Sequence, residues 1–483
     1  MLAVSVVFCA LAGCHRDEPE SNAVRAPVTL TRSGGRTAPN VVWLSIESLR
    51  ADHVGCYGYE RPTTPTLDAL AGEGTVYTQA DSVTSWTLTA HASMFTGLYP
   101  AAHGVIHPKD RLSDEAVTVA EVLRDAGYQT AGIVSGPYLA EAHNLQQGFT
   151  YFDPSPISRL HGASADVTNP DMEAALQKFL RSKRDGRPFL LFAYYWDTHS
   201  EYIPPPPFDT MFVPADARPI KNVQYMPAFK LGRHIMPDQL EWLIAQYDGE
   251  IRCTDGYVGR LFDELRELGL WENTMVIVTA DHGEEFYEHG RNSHKNSVYV
   301  ESVHVPLIIK WPRSVTDAPA HDDRMVSLVD LYPTILDVAG CSVDAPLNGR
   351  ALRDPVDRER PTFLELATFW SFHNRSTGAK WIERTAWTGI RAGRHKLVHI
   401  VPLEDRAGVD LSERWELYDI VADPGEHHPL DLAASGELFG DLQGQIAEWR
   451  SAMAILARRW TSGGGANLSR EEEQRLRGLG YVP

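Results

Sequence analysis

The chain has 483 residues, of which 43% are hydrophobic and 23% charged, and its formal net charge is −19. This composition is typical of a globular protein with room for one large domain and a smaller one. The negative charge, without any basic run, argues against nucleic acid as a partner, so an anionic substrate needs a local positive site. The five cysteines are scattered and form no CxxC pair, which excludes a zinc knuckle and a disulfide lattice.

The N-terminal segment contains an apolar run, residues 2–12, which ends in LAGC and is followed by a polar stretch. The run is too short to cross a bilayer as a helix. It resembles a bacterial lipoprotein signal, which implies cleavage before Cys14, lipidation of that thiol and a lipid-anchored position at the periplasmic or extracellular face of the cell envelope. We therefore predict a signal over residues 1–13 and a flexible tether over residues 14–38. No Lys or Arg precedes the apolar run, which departs from the lipoprotein pattern and leaves open whether the start is truncated.

After the tether, apolar runs of strand length alternate with longer helical patterns, which is typical of an α/β domain with a mostly parallel sheet. Three of the predicted strands end in carboxylate or imidazole groups. Glu47 follows NVVWLSI, Asp197 and His199 follow PFLLFAYYW, and Asp281 and His282 follow TMVIVTA. Because the carboxyl ends of parallel strands meet at one edge of the sheet, we expect these groups to converge. They would suit a divalent metal or an anion site.

The stretch SWTLTAHASMFTGLYPAAHG, residues 85–104, places Thr87 at the start of a predicted helix. A hydroxyl at this position usually caps the helix by accepting a backbone N–H. It can also act as a nucleophile, because the N-terminus of a helix stabilises negative charge. The local sequence leaves both interpretations open.

Together these segments resemble the sulfatase family of the alkaline phosphatase superfamily. The similarity begins near Pro39 and continues, in the family's order, through SWTLTAHASMFTGLYPAAHGV, WDTHSEYIPPP, VIVTADHGEEFYEHG, VPLIIKWP and SLVDLYPTILDVAG. Farther on, GIRAGRHKLV and WELYDIVADPGEHHPL resemble the family's terminal antiparallel sheet. The resemblance implies an alkaline-phosphatase-like α/β fold, a mostly parallel sheet flanked by helices. We place the catalytic domain at residues 39–345 and a smaller antiparallel-sheet subdomain with the tail at residues 346–483.

The resemblance also implies a site, position by position. Thr87 takes the nucleophile place, and one divalent metal is held by Thr87, Glu47, Asp281 and His282. Calcium is the expected ion from the family, with zinc or manganese as the alternatives that the Asp–His pair favours. The other catalytic places fall on His91, His199 and Lys295, and we assign substrate binding to His103, Asp197 and His294.

The sequence departs from the family at two places. Sulfatases carry a C/S-x-P-S/A-R motif whose first residue is converted to formylglycine, whereas this chain has TLTAH. We expect no formylglycine, because threonine has no such conversion route, so Thr87 would act as an unmodified alkoxide. Glu47 stands where the family has Asp, and the neutral Ser48 follows it. Glu47→Asp should raise metal affinity if the pocket keeps the family's shape and lower it if the pocket has adapted to Glu.

The predicted function is therefore metal-dependent hydrolysis of sulfate esters, or of phosphate or phosphonate esters, which an unmodified Thr nucleophile favours. The substrate would be a small anionic ester such as a sulfated glycan or a lipid head group. The alternative is a catalytically impaired, sulfatase-like surface protein that binds anionic glycans or lipids. One feature remains open, because His289 or His294 could be a ligand of a second metal. We expect Glu284 and Glu285 to lie on a solvated face.

Overall fold

The computed structural model describes residues 28–30, 38–159, 167–200, 202–220, 235–373, 380–404, 412–460 and 463–478. The predicted signal, Cys14 and most of the predicted tether lie outside these ranges.

Most strands of the described ranges have seven residues or fewer. The strands are β1 (Val28–Leu30), β2 (Asn40–Ile46), β3 (Thr75–Asp81), β4 (Gln129–Val134), β5 (Tyr151–Asp153), β6 (Phe189–Tyr195), β7 (Thr274–Ala280), β8 (Glu285–Phe286), β9 (Asn292–Ser293), β10 (Leu307–Lys310), β11 (His321–Ser327), β12 (Cys341–Val343), β13 (Thr362–His373), β14 (Lys380–Ala392), β15 (His395–Glu404) and β16 (Arg414–Asp419). Of these, β13, β14 and β15 are longer.

The α-helices of the same ranges lie between the strands and after the last one. They are α1 (Pro65–Ala71), α2 (Thr87–Thr96), α3 (Pro100–His103), α4 (Val119–Asp125), α5 (Asn169–Lys178), α6 (Phe208–Met211), α7 (Pro237–Glu267), α8 (Val300–Val303), α9 (Leu331–Ala339), α10 (Gly436–Leu456) and α11 (Arg470–Gly478). Among the described residues, no helix combines the length and the apolar character that crossing a bilayer requires.

The central sheet has eight strands in the order β11-β3-β10-β7-β2-β6-β4-β5. Neighbouring strands run parallel except where β10 pairs with β3 and β7. Every residue of β2, β6 and β7 is buried, as expected for strands covered on both faces. The predicted mostly parallel α/β sheet is confirmed, and the apolar runs NVVWLSI and TMVIVTA coincide with β2 and β7.

The register of the three central strands positions the candidate site. Ile46, the last residue of β2, lies opposite Tyr195 of β6 and Ala280 of β7. The residues that follow these strands, Glu47 and Asp281 among them, therefore leave the sheet side by side at its carboxyl edge.

A separate four-stranded antiparallel sheet, in the order β13-β14-β15-β16, follows the central domain and confirms the predicted C-terminal sheet. The motif GIRAGRHKLV forms the β14–β15 hairpin, where Gly393 adopts a φ of 56° in the turn. Near the N-terminus, β1 pairs antiparallel with β12, so residues 28–30 form a strand inside the range predicted as tether. The domain boundaries themselves remain predictions.

Candidate active site

Glu47 follows β2 and is fully buried. Ser48, the next residue, adopts a left-handed φ of 51°, a conformation that costs free energy in a non-glycine residue and is often kept for function. In that conformation the Ser48 hydroxyl donates to Glu47 Oε1 at 2.7 Å, while the Ser48 backbone N–H donates to Asp281 Oδ1 at 3.1 Å. Ser48 thus orients two carboxylates at once.

Asp281 and His282 follow β7 and are also fully buried. His282 Nδ1 lies 2.9 Å from the carbonyl oxygen of Gly283, which can only accept, so Nδ1 carries the proton and Nε2 carries the lone pair. That Nε2 lies 3.3 Å from Glu47 Oε1 and 3.5 Å from Asp281 Oδ2. The imidazole lone pair therefore faces both carboxylates.

Thr87 is the first residue of α2, and the N-cap position belongs to Trp86, whose side chain makes no capping hydrogen bond. The Thr87 hydroxyl instead lies 3.1 Å from His282 Nε2 and 3.4 Å from Glu47 Oε2. The structure therefore points this hydroxyl at the acidic cluster, and the N-cap position belongs to a different residue.

The set Glu47, Asp281 and His282 fits a divalent cation. One ligand atom from each of these residues lies within 4.8 Å of the others. Burial, and next to it the negative charge of Asp281, raise the pKa of Glu47 well above its ordinary value. Two buried carboxylates this close together are costly unless a cation compensates them. Two carboxylates with an imidazole are a common donor set for such an ion.

His91 lies one helical turn after Thr87. Its Nδ1 donates to the carbonyl oxygen of Thr87 at 2.8 Å, so its Nε2 accepts from the Ser45 hydroxyl at 3.1 Å. Burial lowers the pKa of His91 to about 4, which keeps the ring neutral near pH 7. His91 therefore links the first turn of α2 to β2 through hydrogen bonds. The neutral ring adds no positive charge to the site.

Lys295 lies beside the start of α2. It is fully buried, its Nζ sits 3.9 Å from the centroid of the Trp86 ring, and its backbone N–H donates to Ser85 at 2.9 Å. A cation over an indole face is a favourable contact. These contacts hold a positive charge next to the residue that precedes Thr87.

His199 and His294 also lie close to Glu47. The ring of His199 stacks on Trp196 with centroids 3.9 Å apart, and its centroid lies 5.1 Å from that of His294. Ligand atoms of His199, His294 and Glu47 lie within 4.8 Å of one another. The structure thus brings both predicted histidines to Glu47, with Trp196 as a wall behind His199.

Two predicted substrate-binding residues have described contacts elsewhere. The Asp197 carboxylate accepts from the backbone N–H groups of Thr168 and Asn169, each at 2.8 Å, at the start of α5. His103 accepts from the backbone N–H of Val105 at 3.1 Å and contacts the Ser93 hydroxyl at 2.9 Å. Burial lowers the pKa of His103 to about 3. These contacts favour structural roles, as a helix cap for Asp197 and as a loop brace for His103.

The expectation of a solvated face for Glu284 and Glu285 is wrong, because both side chains are fully buried. The loop after β7 is hydrogen-bonded to α8, because the Glu284 backbone N–H donates to the carbonyl oxygen of Glu301 at 2.9 Å. Because this backbone contact joins segments that are not adjacent in the sequence, the local sequence pattern does not predict that Glu284 is buried. Of the two open histidines, His289 pairs instead with Glu301 at 2.7 Å, outside the two metal-ligand clusters of the described residues.

The comparisons with known proteins agree on the family. The model described as Sulfatase matches residues 39–341, and the model described as N-sulphoglucosamine sulphohydrolase, C-terminal, matches residues 288–451. The N-acetylglucosamine-6-O-sulfatase of Bacteroides thetaiotaomicron is 22% identical over 473 residues, with 80% of this chain and 82% of that protein covered. Arylsulfatase A of Homo sapiens is 27% identical over 466 residues, with 81% and 83% covered.

Among solved structures, the phosphonate monoester hydrolase of Agrobacterium radiobacter superimposes with a TM-score of 0.66 at 21% identity, covering 86% of this chain and 96% of that one. This likeness supports the alkaline-phosphatase-like fold. The Sulfatase model spans well over half of the chain and includes the whole cluster from Glu47 to Lys295. On this evidence the chain belongs to the sulfatase family.

Proposed function

We propose that this protein is a metal-dependent ester hydrolase in which the unmodified hydroxyl of Thr87 attacks the sulfur or phosphorus of a small anionic ester. The observation that carries the proposal is the position of this hydroxyl, at the N-terminus of α2 and within 3.1 Å of His282 Nε2 and 3.4 Å of Glu47 Oε2. A hydroxyl among the groups that would bind a divalent metal, at the N-terminus of a helix, lies where an ionised nucleophile is stabilised.

The first step forms a bond from Thr87 Oγ1 to the phosphorus or sulfur while the bond to the ester's leaving oxygen breaks. The Thr87 hydroxyl loses its proton to solvent before it attacks, because His282 Nε2 and Glu47 Oε2, the described groups that face this proton, are also the atoms that would hold the metal. The free N–H groups of the first turn of α2 favour negative charge on the attacking oxygen and on the oxygens of the transferred group.

The leaving oxygen needs a proton, and Lys295 and His199 are the groups assigned to supply or stabilise it. Lys295 is held beside Trp86, one residue before the nucleophile. A water molecule then hydrolyses the ester formed on Thr87 and restores its hydroxyl.

Glu47, Asp281, His282 and Thr87 are the residues that would hold a divalent metal. When bound, such an ion supplies charge stabilisation for the ionised hydroxyl and for the group in transfer. We place zinc or manganese ahead of calcium, because an imidazole lone pair is aimed into the cluster and calcium prefers oxygen ligands.

We propose sulfate, phosphate and phosphonate monoesters as the substrate class, with a sulfated glycan or a lipid head group as the natural ester. The sulfate assignment is supported by family membership and by a relative named as a sulfatase of N-acetylglucosamine. The phosphorus assignment is supported by Thr at position 87 and by the likeness to a phosphonate monoester hydrolase. The expectation follows that phosphorus esters turn over faster than sulfate esters.

One surface cavity bears on the binding-only alternative. A cavity of about 390 Å³ is lined by arginines, which could attract an anion. However, all four of these arginines are paired with aspartates: Arg324, Arg358 and Arg391 at 2.7 to 2.9 Å, and Arg394 with Asp419. Their charges are compensated, so this cavity offers no excess positive charge to a sulfated glycan.

We also propose that lipid on Cys14 anchors the protein at the cell envelope, on the periplasmic or extracellular side. The support is the LAGC sequence at the end of a short apolar run. The polar residues after it would let the catalytic domain stand away from the membrane.

The test is metal analysis of the purified protein, followed by assays with aryl sulfate, phosphate and phosphonate esters of the same alcohol. Peptide mass spectrometry across residues 85–94 checks that Thr87 is unmodified. Bound transition metal, an intact threonine and turnover of at least one ester are expected. A protein without metal and without turnover of any ester would contradict the hydrolase and favour the binding-only alternative.

A further inference from the structure

We propose that Lys396, on the C-terminal antiparallel sheet, is a positioning residue that holds Lys295 in place beside the nucleophile. This inference rests on the proposed function, because it takes Lys295 as the group that supplies a proton to the leaving oxygen. It goes beyond that proposal by giving the second sheet a part in the reaction.

The loop that carries Lys295, residues 292–298, has a strained backbone. Ser293 and Lys295 adopt left-handed φ values of 67° and 63°. Non-glycine residues in this conformation cost free energy, so they persist only where the surrounding contacts fix them. The contacts around the Lys295 loop therefore determine where the Lys295 side chain lies.

One side of the Lys295 loop is fixed by the segment that leads into α2. The Lys295 backbone N–H donates to the carbonyl oxygen of Ser85 at 2.9 Å, and the Ser85 hydroxyl donates to the carbonyl oxygen of Ser297 at 2.6 Å. Ser85 lies two residues before Thr87, so these two bonds tie the loop to the nucleophile.

The other side of the Lys295 loop is fixed by Lys396. This residue lies on β15, and its side chain is 2% exposed. Its ammonium group donates to the carbonyl oxygen of Val298, at the end of the loop, at 2.7 Å. Hydrogen bonds from a charged donor are stronger than neutral ones, and burial strengthens them further.

Glu426 holds the Lys396 ammonium in this position. Its two carboxylate oxygens accept from Lys396 Nζ at 2.7 and 2.8 Å, so the ammonium has three acceptors for its three N–H groups. The Glu426 backbone is also fixed, because its carbonyl oxygen accepts from His289 Nε2 at 3.0 Å. Removing the Lys396 ammonium would therefore release the end of the Lys295 loop.

The same sheet contacts the residue that follows the Lys295 loop. The Tyr299 hydroxyl donates to Glu416 Oε2 at 2.7 Å, and the Tyr299 ring packs edge-on against Trp387 with centroids 5.6 Å apart. Glu416 lies on β16 and Trp387 on β14. Three strands of the C-terminal sheet thus contact the chain at Val298 and Tyr299, and Lys396 makes the bond to the loop backbone.

The experiment compares Lys396→Met with Arg391→Met in the full-length protein. Arg391 also joins the C-terminal sheet to the central sheet, through Asp81 at 2.9 Å, and its described contacts do not include the Lys295 loop. Thermal unfolding shows that the variants are folded. If Lys396→Met does not fold, Lys396→Met/Glu426→Gln replaces it, because that variant leaves no buried carboxylate without its partner.

Hydrogen exchange, followed by mass spectrometry, measures the position of the loop without reference to turnover. We expect the backbone amides of residues 292–299 to exchange at least about tenfold faster in Lys396→Met than in the unaltered protein or in Arg391→Met. Equal exchange in Lys396→Met and in the unaltered protein would overturn the inference.

The second measurement is kcat/KM for a phenyl ester and a 2,4-dinitrophenyl ester of the acid that the unaltered protein transfers fastest. The phenyl oxygen needs a proton to leave, whereas the dinitrophenyl oxygen leaves as a stable anion. We expect Lys396→Met to lose at least about tenfold with the phenyl ester and less than about threefold with the dinitrophenyl ester. Lys295→Met should show the same selectivity, and adding Lys396→Met to it should cost less than about threefold more.

Equal losses with the two esters in Lys396→Met would show a structural role alone and overturn the inference. The inference also fails if Arg391→Met loses the phenyl ester selectively, or if Lys295→Met shows no selectivity. No turnover of either ester by the unaltered protein would contradict the proposed hydrolase, and hydrogen exchange would then decide by itself whether Lys396 holds the loop.

Discussion

At the residue scale, Ser48 is a neutral side chain that orients two carboxylates of the candidate metal cluster. It binds Glu47 Oε1 through its hydroxyl and Asp281 Oδ1 through its backbone N–H. Ser48→Ala keeps the backbone bond and removes only the hydroxyl, so we expect metal affinity to fall by about tenfold or more. Calorimetric titration with Zn²⁺ measures this. Ser45→Ala is the matched control, since that buried hydroxyl contacts His91, and an equal loss in both variants would refute the role of Ser48.

The second prediction at this scale concerns the length of the side chain at position 47. The structure shows both Glu47 oxygens already engaged, with Ser48 on one and Thr87 facing the other. We therefore expect Glu47→Asp to lower metal affinity and ester turnover by about tenfold or more, because the shortened carboxylate withdraws from these partners. Metal titration and the kinetics of ester hydrolysis, measured on the same protein sample, test this. A gain in both quantities would mean that the pocket keeps the family's shape for Asp.

Glu47, Asp281 and His282 of the candidate metal cluster could be predicted from the sequence because they directly follow strands. The sequence could not separate Asp197 from His199, which follow the same strand two residues apart. The former turns toward the start of α5 and the latter toward Glu47, a difference set by the loop and by tertiary packing. Glu284 was assigned to solvent because its burial depends on the backbone contact with Glu301, which local periodicity does not report.

At the scale of elements, the sheet was predictable because fully buried strands are continuous apolar runs with no polar alternation. Because β2 pairs parallel with β6 and with β7, the three strands end at the same edge of the sheet. The antiparallel insertion of β10 and the pairing of β1 with β12 were not predictable, since strand order is set by contacts between distant segments.

The loop after β7 leads to a pH prediction. Burial alone would lower the pKa of His289, but the hydrogen bond and charge of Glu301 raise it to about 9 from an ordinary 6.5. A raised histidine pKa stabilises the fold fully below its ordinary value, and the contribution is lost as pH rises through the folded value. The contact of His289 with the carbonyl oxygen of Glu426, at 3.0 Å, ties this loop to the C-terminal part of the chain.

We therefore expect the melting temperature to fall between about pH 7 and about pH 10, and His289→Gln to flatten this slope. His103→Gln is the control, because burial keeps the pKa of His103 near 3 and its ring neutral throughout. Thermal unfolding followed by circular dichroism gives the slopes. A slope in His289→Gln as steep as in the unaltered protein would assign the dependence to other groups.

At the scale of the whole molecule, one prediction concerns the proposed lipid anchor at Cys14, which would place the protein at the cell envelope. Cys14→Ala removes the thiol that lipid would modify, so we expect the protein to leave the membrane fraction or to remain unprocessed. Detergent phase partitioning and N-terminal mass spectrometry measure the outcome. Cys56→Ala, a change within the described domain, should partition like the unaltered protein. Unchanged partitioning of Cys14→Ala with an intact N-terminus would contradict the anchor.

The central claim, that Thr87 is the nucleophile of a metal-dependent hydrolase, is tested most directly by comparing turnover in Thr87→Ala and Thr89→Ala. Thr89 lies on the same helix, but its hydroxyl donates to the carbonyl oxygen of Val105 at 2.9 Å, away from the cluster. With the aryl ester that the unaltered protein cleaves fastest, Thr87→Ala should lose at least about a thousandfold in kcat while Thr89→Ala stays within about threefold. A metal-loaded Thr87→Ala enzyme that retains turnover within about tenfold would contradict the account.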